Sequence, residues 1–247
     1  MERVKEDIVA YWTRRAPSFA DLRMRELGSP LHRRWLDELE SALSAAQPAL
    51  AADPLRILDA GCGTGFFSLM LADRGHDLTG IDLTGEMVAE ARAASGRLGV
   101  PAAFHIMDAE NPDLPAHAFD VIVTRNLTWG LPHLARAYAA WHELLVPGGV
   151  LVNFDADYCR ENNARGGAPL PACGAHRGLS HQTMDAYERI KDELRPSQEP
   201  RPAWDLELLK RAGFHDVQVD EAVYQRIYIE EDEFYNPTPI FKITARA

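Results

Sequence analysis

The sequence predicts an α/β fold, a mostly parallel sheet covered by helices on both faces, and three observations carry that expectation. Between residues 54 and 156 short apolar runs alternate regularly with amphipathic stretches. Strand, helix, strand, repeated in that order, builds a parallel sheet with both faces buried. A glycine-rich turn, Gly61-Cys62-Gly63-Thr64-Gly65, joins the first apolar run to its helix, and Asp82 ends the second run seventeen residues beyond the last glycine. A length of 247 residues suits one such domain with an appended cap and is enough for a full core.

The elements follow in order. Residues 1–50 read as helical and amphipathic, with Leu31, Trp35, Leu39 and Leu43 at helical spacing and a stop near Pro48. Strands are expected at 56–59, 78–81, 103–107, 119–123 and 150–154, and helices at 66–73, 86–98 and 133–145, the last ending at Pro147-Gly148-Gly149. From 155 to 202 the pattern breaks into a polar stretch rich in Asn, Gly, Pro and His, with one helical piece at 184–194. Such a stretch is too long for a plain connection and reads as a functional insertion over the site. A short helix at 204–212, stopped by Gly213, precedes two closing strands at 217–228 and 240–246.

Composition narrows the function. The hydrophobic share is 46% and the formal charge is −11, and basic residues come no denser than pairs such as Arg14-Arg15 and Arg33-Arg34. A protein whose main task is gripping phosphate backbones shows a basic stripe, so nucleic acid is not the expected partner. Three cysteines do not make a disulfide framework. The charged start, Met1 to Asp7, lacks an apolar signal core, and no stretch reaches membrane-spanning length. A soluble cytoplasmic protein acting on a small molecule is expected, and a homodimer is compatible with the sequence.

The glycine turn bends the backbone sharply and lets a ligand approach it without meeting a Cβ. An Asp at the end of the neighbouring strand can accept both hydroxyls of a ribose. Dinucleotide sites use G-x-G-x-x-G; here the spacing is Gly61-x-Gly63-x-Gly65, Phe66 holds the place of the third dinucleotide glycine, and Asp59 precedes the turn. A carboxylate there suits a cationic or amino-bearing ligand better than a pyrophosphate. The run Leu58 to Gly65 with Asp82 resembles the first motif and ribose acid of the class I S-adenosylmethionine-dependent methyltransferases. The resemblance covers residues 54–156 in motif detail and the rest in layout.

That resemblance implies a Rossmann-like seven-stranded sheet whose last strand is antiparallel. It implies one domain: an N-terminal lid or cap (1–50), a cofactor core (54–156), an acceptor-side insertion (155–202) and C-terminal elements (203–247). It implies S-adenosylmethionine as cofactor and S-adenosylhomocysteine as its product. Asp59 and Gly61, with Cys62 and Gly63, would hold the methionine portion, Asp82 the ribose, and Leu83 with Met87 the adenine walls. Asp82 could alternatively cap the following helix. Asp108 and Ala109 would meet the adenine edge, although Asp108 also suits a turn. Asn126 and Leu127 would lie near the sulfonium. Trp129 would face the transferred methyl or the acceptor, or else pack as a core aromatic. Tyr11, Trp12 and Phe19 would line the acceptor pocket on a segment that either closes over the cofactor or packs on the sheet.

Asp155, Asp157, Tyr158 and Glu161 follow the fifth strand and could hold a cationic acceptor or remove its proton, as could His176 or His181; an N-cap and a solvated acidic face are the plainer reading. Cys159, Cys173, His176 and His181 carry donor types that suit zinc or a thiophilic ion, but without a Cys-x-x-Cys pair no metal is expected. Methyl transfer to a small metabolite is therefore the leading expectation, and a non-catalytic cofactor-binding protein on the same fold is the alternative. The glycine spacing and the missing catalytic dyads set a nicotinamide dehydrogenase aside, and an arsenite-type methyltransferase fits only in the cofactor half.

Overall fold

The computed structural model describes residues 2–46, 54–158 and 178–247. Seven strands form one sheet in the order β3-β2-β1-β4-β5-β7-β6. They are β1 (Arg56–Ala60), β2 (Asp77–Asp82), β3 (Ala103–Ile106), β4 (Phe119–Arg125), β5 (Leu145–Ala156), β6 (His215–Asp220) and β7 (Ile240–Arg246). Neighbouring pairs from β3 through β5 run parallel, and β7 runs antiparallel to both β5 and β6. The seven-stranded sheet with an antiparallel last strand is thus present. Strand order reverses between β1 and β4, and the crevice beyond their carboxyl ends is where such sheets bind ligands.

Side-chain alternation along the central strands assigns each face its helices. Ile57, Val121, Val123, Val152 and Phe154 face one side, where they meet α2 (Pro30–Ala46) and α3 (Phe66–Asp73). Leu31, Trp35, Leu39 and Leu43 are the buried stripe of α2, as their spacing predicts. Leu58, Ile122, Leu151 and Ile243 face the other side, against α5 (Leu134–Leu144) and a C-terminal helix at Ala203–Ala212. Helix α4 (Gly85–Leu98) covers β2 and β3 through Val88 and Ala91, which meet Phe104.

Four expectations need adjustment. The N-terminal helical segment is two helices, α1 (Glu2–Leu27) and α2, broken at Gly28-Ser29, where the Ser29 hydroxyl accepts the Leu31 amide. The expected start of β5 at 150 moves back to Leu145, through a bulge in its pairing with β4. The helix expected at 184–194 is α6 (His181–Glu193), started by Ser180, whose hydroxyl accepts the Thr183 amide. Lastly, 217–228 is not one strand. β6 ends at Asp220 and a short helix, α8 (Val223–Ile227), follows α7 (Ala203–Ala212) and β6 in the chain. Val223 and Ile227 stand four apart and are both fully buried, a helical spacing that lets the chain fold back over α2.

The glycine-rich turn is positioned by packing beneath it. Gly80, in the middle of β2, lets the Phe104 ring lie flat against the strand: a Cβ at Gly80 would come 2.6 Å from Phe104 Cδ1 and 3.0 Å from Cys62 Sγ. Gly80→Ala should therefore destabilise the fold by roughly 1–3 kcal/mol through overpacking. Combining it with Phe104→Leu should recover part of that loss in urea denaturation; strictly additive losses would show that the two side chains do not compete for this space.

Candidate functional site

Beyond the carboxyl ends of β1, β2 and β4 lies a cavity of about 230 Å³, roofed by α1. Gly61 has φ +68°, and any Cβ there would collide with Leu127, so only glycine lets the turn pass beneath the β4 loop. Gly65 takes φ +86° to start α3, whose first turn then receives Asp59. Asp59 is almost fully buried, and one of its oxygens, Oδ2, accepts the Ser68 amide at 3.0 Å and the Ser68 hydroxyl at 2.6 Å. Burial, with a smaller contribution from the nearby Asp82 charge, pushes the Asp59 carboxyl up to about 6.

Asp82 ties the two halves of the motif together. Its Oδ2 accepts the Gly63 amide at 3.0 Å, and its Oδ1 accepts the Thr84 amide at 2.8 Å. The capping alternative is met in part, because Thr84 is the N-cap residue of α4 and takes its support from Asp82. Burial raises the Asp82 carboxyl despite these bonds. Gly61, Cys62, Gly63, Asp82, Leu83, Met87, Asp108 and Ala109 all line the cavity, as does Thr64, whose buried hydroxyl has no hydrogen-bond partner. Burial, with Asp59 and Asp82 close by, lifts the Cys62 thiol well above its usual range, so it is a packing residue here and not a nucleophile.

Helix α1 is fastened over this half. Lys5 Nζ donates to Asp108 at 2.6 Å and pairs with Glu110, while the Thr13 hydroxyl donates to Glu86 at 2.8 Å. Burial alone would lower Lys5, but the hydrogen bonds and charges of Asp108 and Glu110 overcome it and raise its pKa. Asp108 also accepts the Glu110 amide in a turn, so the plainer expectation for it is present alongside a cavity position.

Much of the remaining cavity wall is aromatic. Tyr11 packs edge-on to Trp12 and tilted against Tyr187 of α6, and Trp12 meets Phe19. Asn126 takes φ +55° at the end of β4, a conformation Asn tolerates better than most residues, and its Oδ1 accepts the Tyr158 hydroxyl at 2.6 Å. Trp129 sits in a short 3₁₀ turn, Thr128–Gly130, donates its indole N–H to the Asn126 carbonyl, and packs against Tyr158 and Tyr187. It lines the cavity and does not lie under α5.

Three acid–base candidates stand elsewhere. Asp155 is fully buried behind the cavity wall: it accepts the Thr128 hydroxyl, the Trp129 amide at 2.9 Å and the Ala156 amide at 2.7 Å, with Arg201 3.5 Å away. Burial raises its pKa, yet these partners fully occupy it, so it braces the Trp129 turn. Asp157 is half-buried and faces the Arg201 amide, and His181 is exposed on the first turn of α6; neither lines the cavity. Tyr158 does line it, its hydroxyl accepting from Asn236 and its pKa pushed well up by burial, which suits a hydrogen-bonding role and not a base. Glu161, Cys159, Cys173 and His176 lie outside the described residues.

The sequence reading missed two buried ionic groups. Arg201 reaches Asp205 through two bonds and donates to Thr128 at 2.6 Å, while Tyr138 donates to Asp205. Glu26 is fully buried between Arg23 and Arg125, and it also accepts the Trp35 indole N–H. Burial would raise Glu26, but the two guanidinium charges hold it below the usual carboxylate range. A signal for the second group existed, since Arg125 ends a strand that is otherwise apolar from Val121 to Val123.

Comparison with known proteins agrees with this geometry. Residues 57–149 match the family described as a methyltransferase domain. A trans-aconitate 2-methyltransferase from Streptomyces avermitilis is 38% identical over 201 residues, covering 77% of this chain and 68% of that protein. A malonyl-[acyl-carrier protein] O-methyltransferase from Enterobacter lignolyticus is 30% identical over 186 residues, covering 74% and 67%. In fold, the chain is similar to an S-adenosylmethionine dependent methyltransferase from Mesorhizobium loti, with a TM-score of 0.54, 22% identity, and 83% and 96% of the two chains covered.

Because Arg201 and its partners Asp155 and Asp205 are all fully buried, Arg201→Met should leave two carboxylates without their cation. The expected loss is about 3–5 kcal/mol in chemical denaturation. A loss under about 1 kcal/mol would mean that the group is not a structural brace.

Proposed function

We infer, because this chain belongs to the class I S-adenosylmethionine-dependent methyltransferase family, that it transfers a methyl group to a small-molecule acceptor by in-line displacement, mainly through positioning and desolvation. The observation that carries this reading is one cavity lined both by carboxylates and glycine backbone at the ends of β1 and β2 and by aromatic rings of α1, α6 and the Trp129 turn. S-adenosylmethionine supplies an already activated methyl and is left as the neutral thioether S-adenosylhomocysteine.

The residues present fit that cofactor. Asp59 keeps Oδ1 clear of its Ser68 bonds, and the buried Thr64 hydroxyl has no partner, so both can meet the polar methionine end. Asp82 holds the turn with one bond to each oxygen, which leaves each a lone pair for a ribose hydroxyl. Leu83 and Met87 would bound the adenine, Asp108 and Ala109 its edge, and Asn126 and Leu127 the reacting end. Tyr11, Trp12, Phe19, Trp129 and Tyr158 would pack the acceptor and exclude water. A relative named for trans-aconitate supports an acceptor of metabolite size.

Alignment in a dry pocket can remove on the order of 7–11 kcal/mol of barrier, whereas a general base gives only about 10² to 10⁴ in rate. That balance accounts for a cavity whose acceptor half has no histidine or carboxylate among its described residues. Incubating the protein with methyl-labelled cofactor and a protein-free metabolite extract should move label into a small product. Tight cofactor binding with no transfer would contradict the enzymatic reading.

Protonation of Asp59 supplies a second test. Its raised pKa means that the carboxylate form is lost as pH falls through about 6, earlier than for an ordinary Asp. The same shift means that, without ligand, the Asp59 contribution to stability is greatest at low pH and declines as pH rises toward 6. Affinity for S-adenosylhomocysteine, whose amino group is cationic, should fall below pH 6 by up to about tenfold per unit. Asp59→Asn should bind weakly and without that dependence. An unchanged pH profile in the variant would remove Asp59 from the cofactor site.

A further inference from the structure

A chain of hydrogen bonds runs from the C-terminal connection to the end of β4, and each step fixes the direction of the next. It starts at the backbone N–H of Thr238, which can only donate and does so to Asn236 Oδ1 at 3.0 Å. Asn236 Nδ2 is thereby set as a donor, and it meets the Tyr158 hydroxyl oxygen at 3.0 Å. Tyr158 has one hydrogen to give, and it goes to Asn126 Oδ1 at 2.6 Å. A free side-chain amide can turn over and exchange its oxygen for its nitrogen. Turning Asn126 over would leave the phenol hydrogen without an acceptor, so the amide is held one way round.

The rest of Asn126 is equally committed. Its backbone N–H donates to the Phe154 carbonyl at 2.8 Å, and its own carbonyl accepts the Trp129 indole N–H at 3.0 Å. Burial pushes the Tyr158 hydroxyl well above its usual range, so it keeps the proton on which the chain of bonds depends. Nδ2 is then the one polar atom of Asn126 with no partner among the described residues. It keeps accessible surface, in a residue that lines the cavity together with Tyr158 and Asn236. A donor whose direction is fixed selects a ligand with a lone pair. A carbonyl or carboxyl oxygen can meet it, whereas a group that offers only hydrogens leaves it unpaired.

We propose that Asn126 sets the acceptor class: the methyl acceptor presents a carbonyl or carboxyl oxygen to Asn126 Nδ2 beside the Trp129 ring, and Tyr158 and Asn236 are positioning residues that hold the amide in its donating orientation. This rests on the methyltransferase reading and adds to it the group by which the acceptor is recognised.

The test uses the full chain saturated with S-adenosylhomocysteine and two probes of the same shape, acetophenone and α-methylstyrene, which differ only in a carbonyl oxygen against a methylene. Ligand-detected NMR should show acetophenone binding about fivefold more tightly, the yield of one neutral hydrogen bond. Asn126→Asp keeps the bond from Tyr158 but turns an oxygen to the cavity, and acetophenone should then bind no more tightly than the hydrocarbon. Asn236→Asp takes the Tyr158 hydrogen for itself, so that Asn126 Nδ2 turns to the Tyr158 oxygen and Oδ1 to the cavity; the preference should vanish although Asn126 is intact, which a merely structural role for Asn236 would not produce. Where Asn236→Asp does not fold, the wild type and Asn126→Asp decide. A wild-type protein that binds the two probes alike or binds neither, or a preference that survives either substitution, would overturn the proposal. Failure of S-adenosylhomocysteine itself to bind the wild type would instead contradict the cofactor reading, so the two failures are separable.

Discussion

Two carboxylates, Asp59, buried, and Asp82, part-buried, stand beside one bent stretch of backbone, and the arrangement of the site depends on how each is restrained. Like charges in a low-dielectric pocket repel and lose hydration. Here each is held by short-range donors: Ser68 for Asp59, and the Gly63 and Thr84 amides for Asp82. Those bonds fix the turn, the start of α3 and the start of α4 relative to one another. Burial and the Asp82 charge raise Asp59, and the Arg125 charge offsets this only in part. On the proposed reading, the positive amine of the cofactor would relieve that tension.

The opposite wall is stabilised by different means. Asp155, Arg201, Asp205, Thr128 and Tyr138 form a buried polar group behind the cavity, and it fixes the turn on which Trp129 stands. Because its members are satisfied mainly by each other, the group gives rigidity to the aromatic surface without presenting a reactive side chain. Helix α1 completes the enclosure by bridging both halves, through Lys5 and Thr13 over the cofactor side and through Tyr11 over α6. One helix therefore contributes to both walls of the cavity.

The strand–helix alternation from Arg56 to Phe154 was legible because periodicity and the glycine turn are local signals. The cavity position of the residues proposed to meet the cofactor was legible for the same reason: Asp59, Gly61, Asp82 and Asp108 occupy fixed places at strand ends. The acceptor side was not. Asp155, Asp157 and Glu161 follow a strand end and read either as an acceptor-side acidic group or as a cap and solvated face, yet Asp155 is buried beside Arg201, which is 46 positions away in sequence. The Glu26 group likewise joins α1, α2 and β4, and nothing local marks Arg23 and Arg125 as neighbours. The 217–228 segment was misread because its branched and aromatic residues favour a strand, while tertiary burial of Val223 and Ile227 selected a helical turn.

The most direct test of the central claim is a crystal structure of the protein with S-adenosylhomocysteine. The account requires the ribose hydroxyls on Asp82 and the homocysteine amine against Asp59, with the sulfur facing Asn126 and the aromatic half. Density for the nucleoside anywhere else, or a ribose out of reach of Asp82, would contradict it.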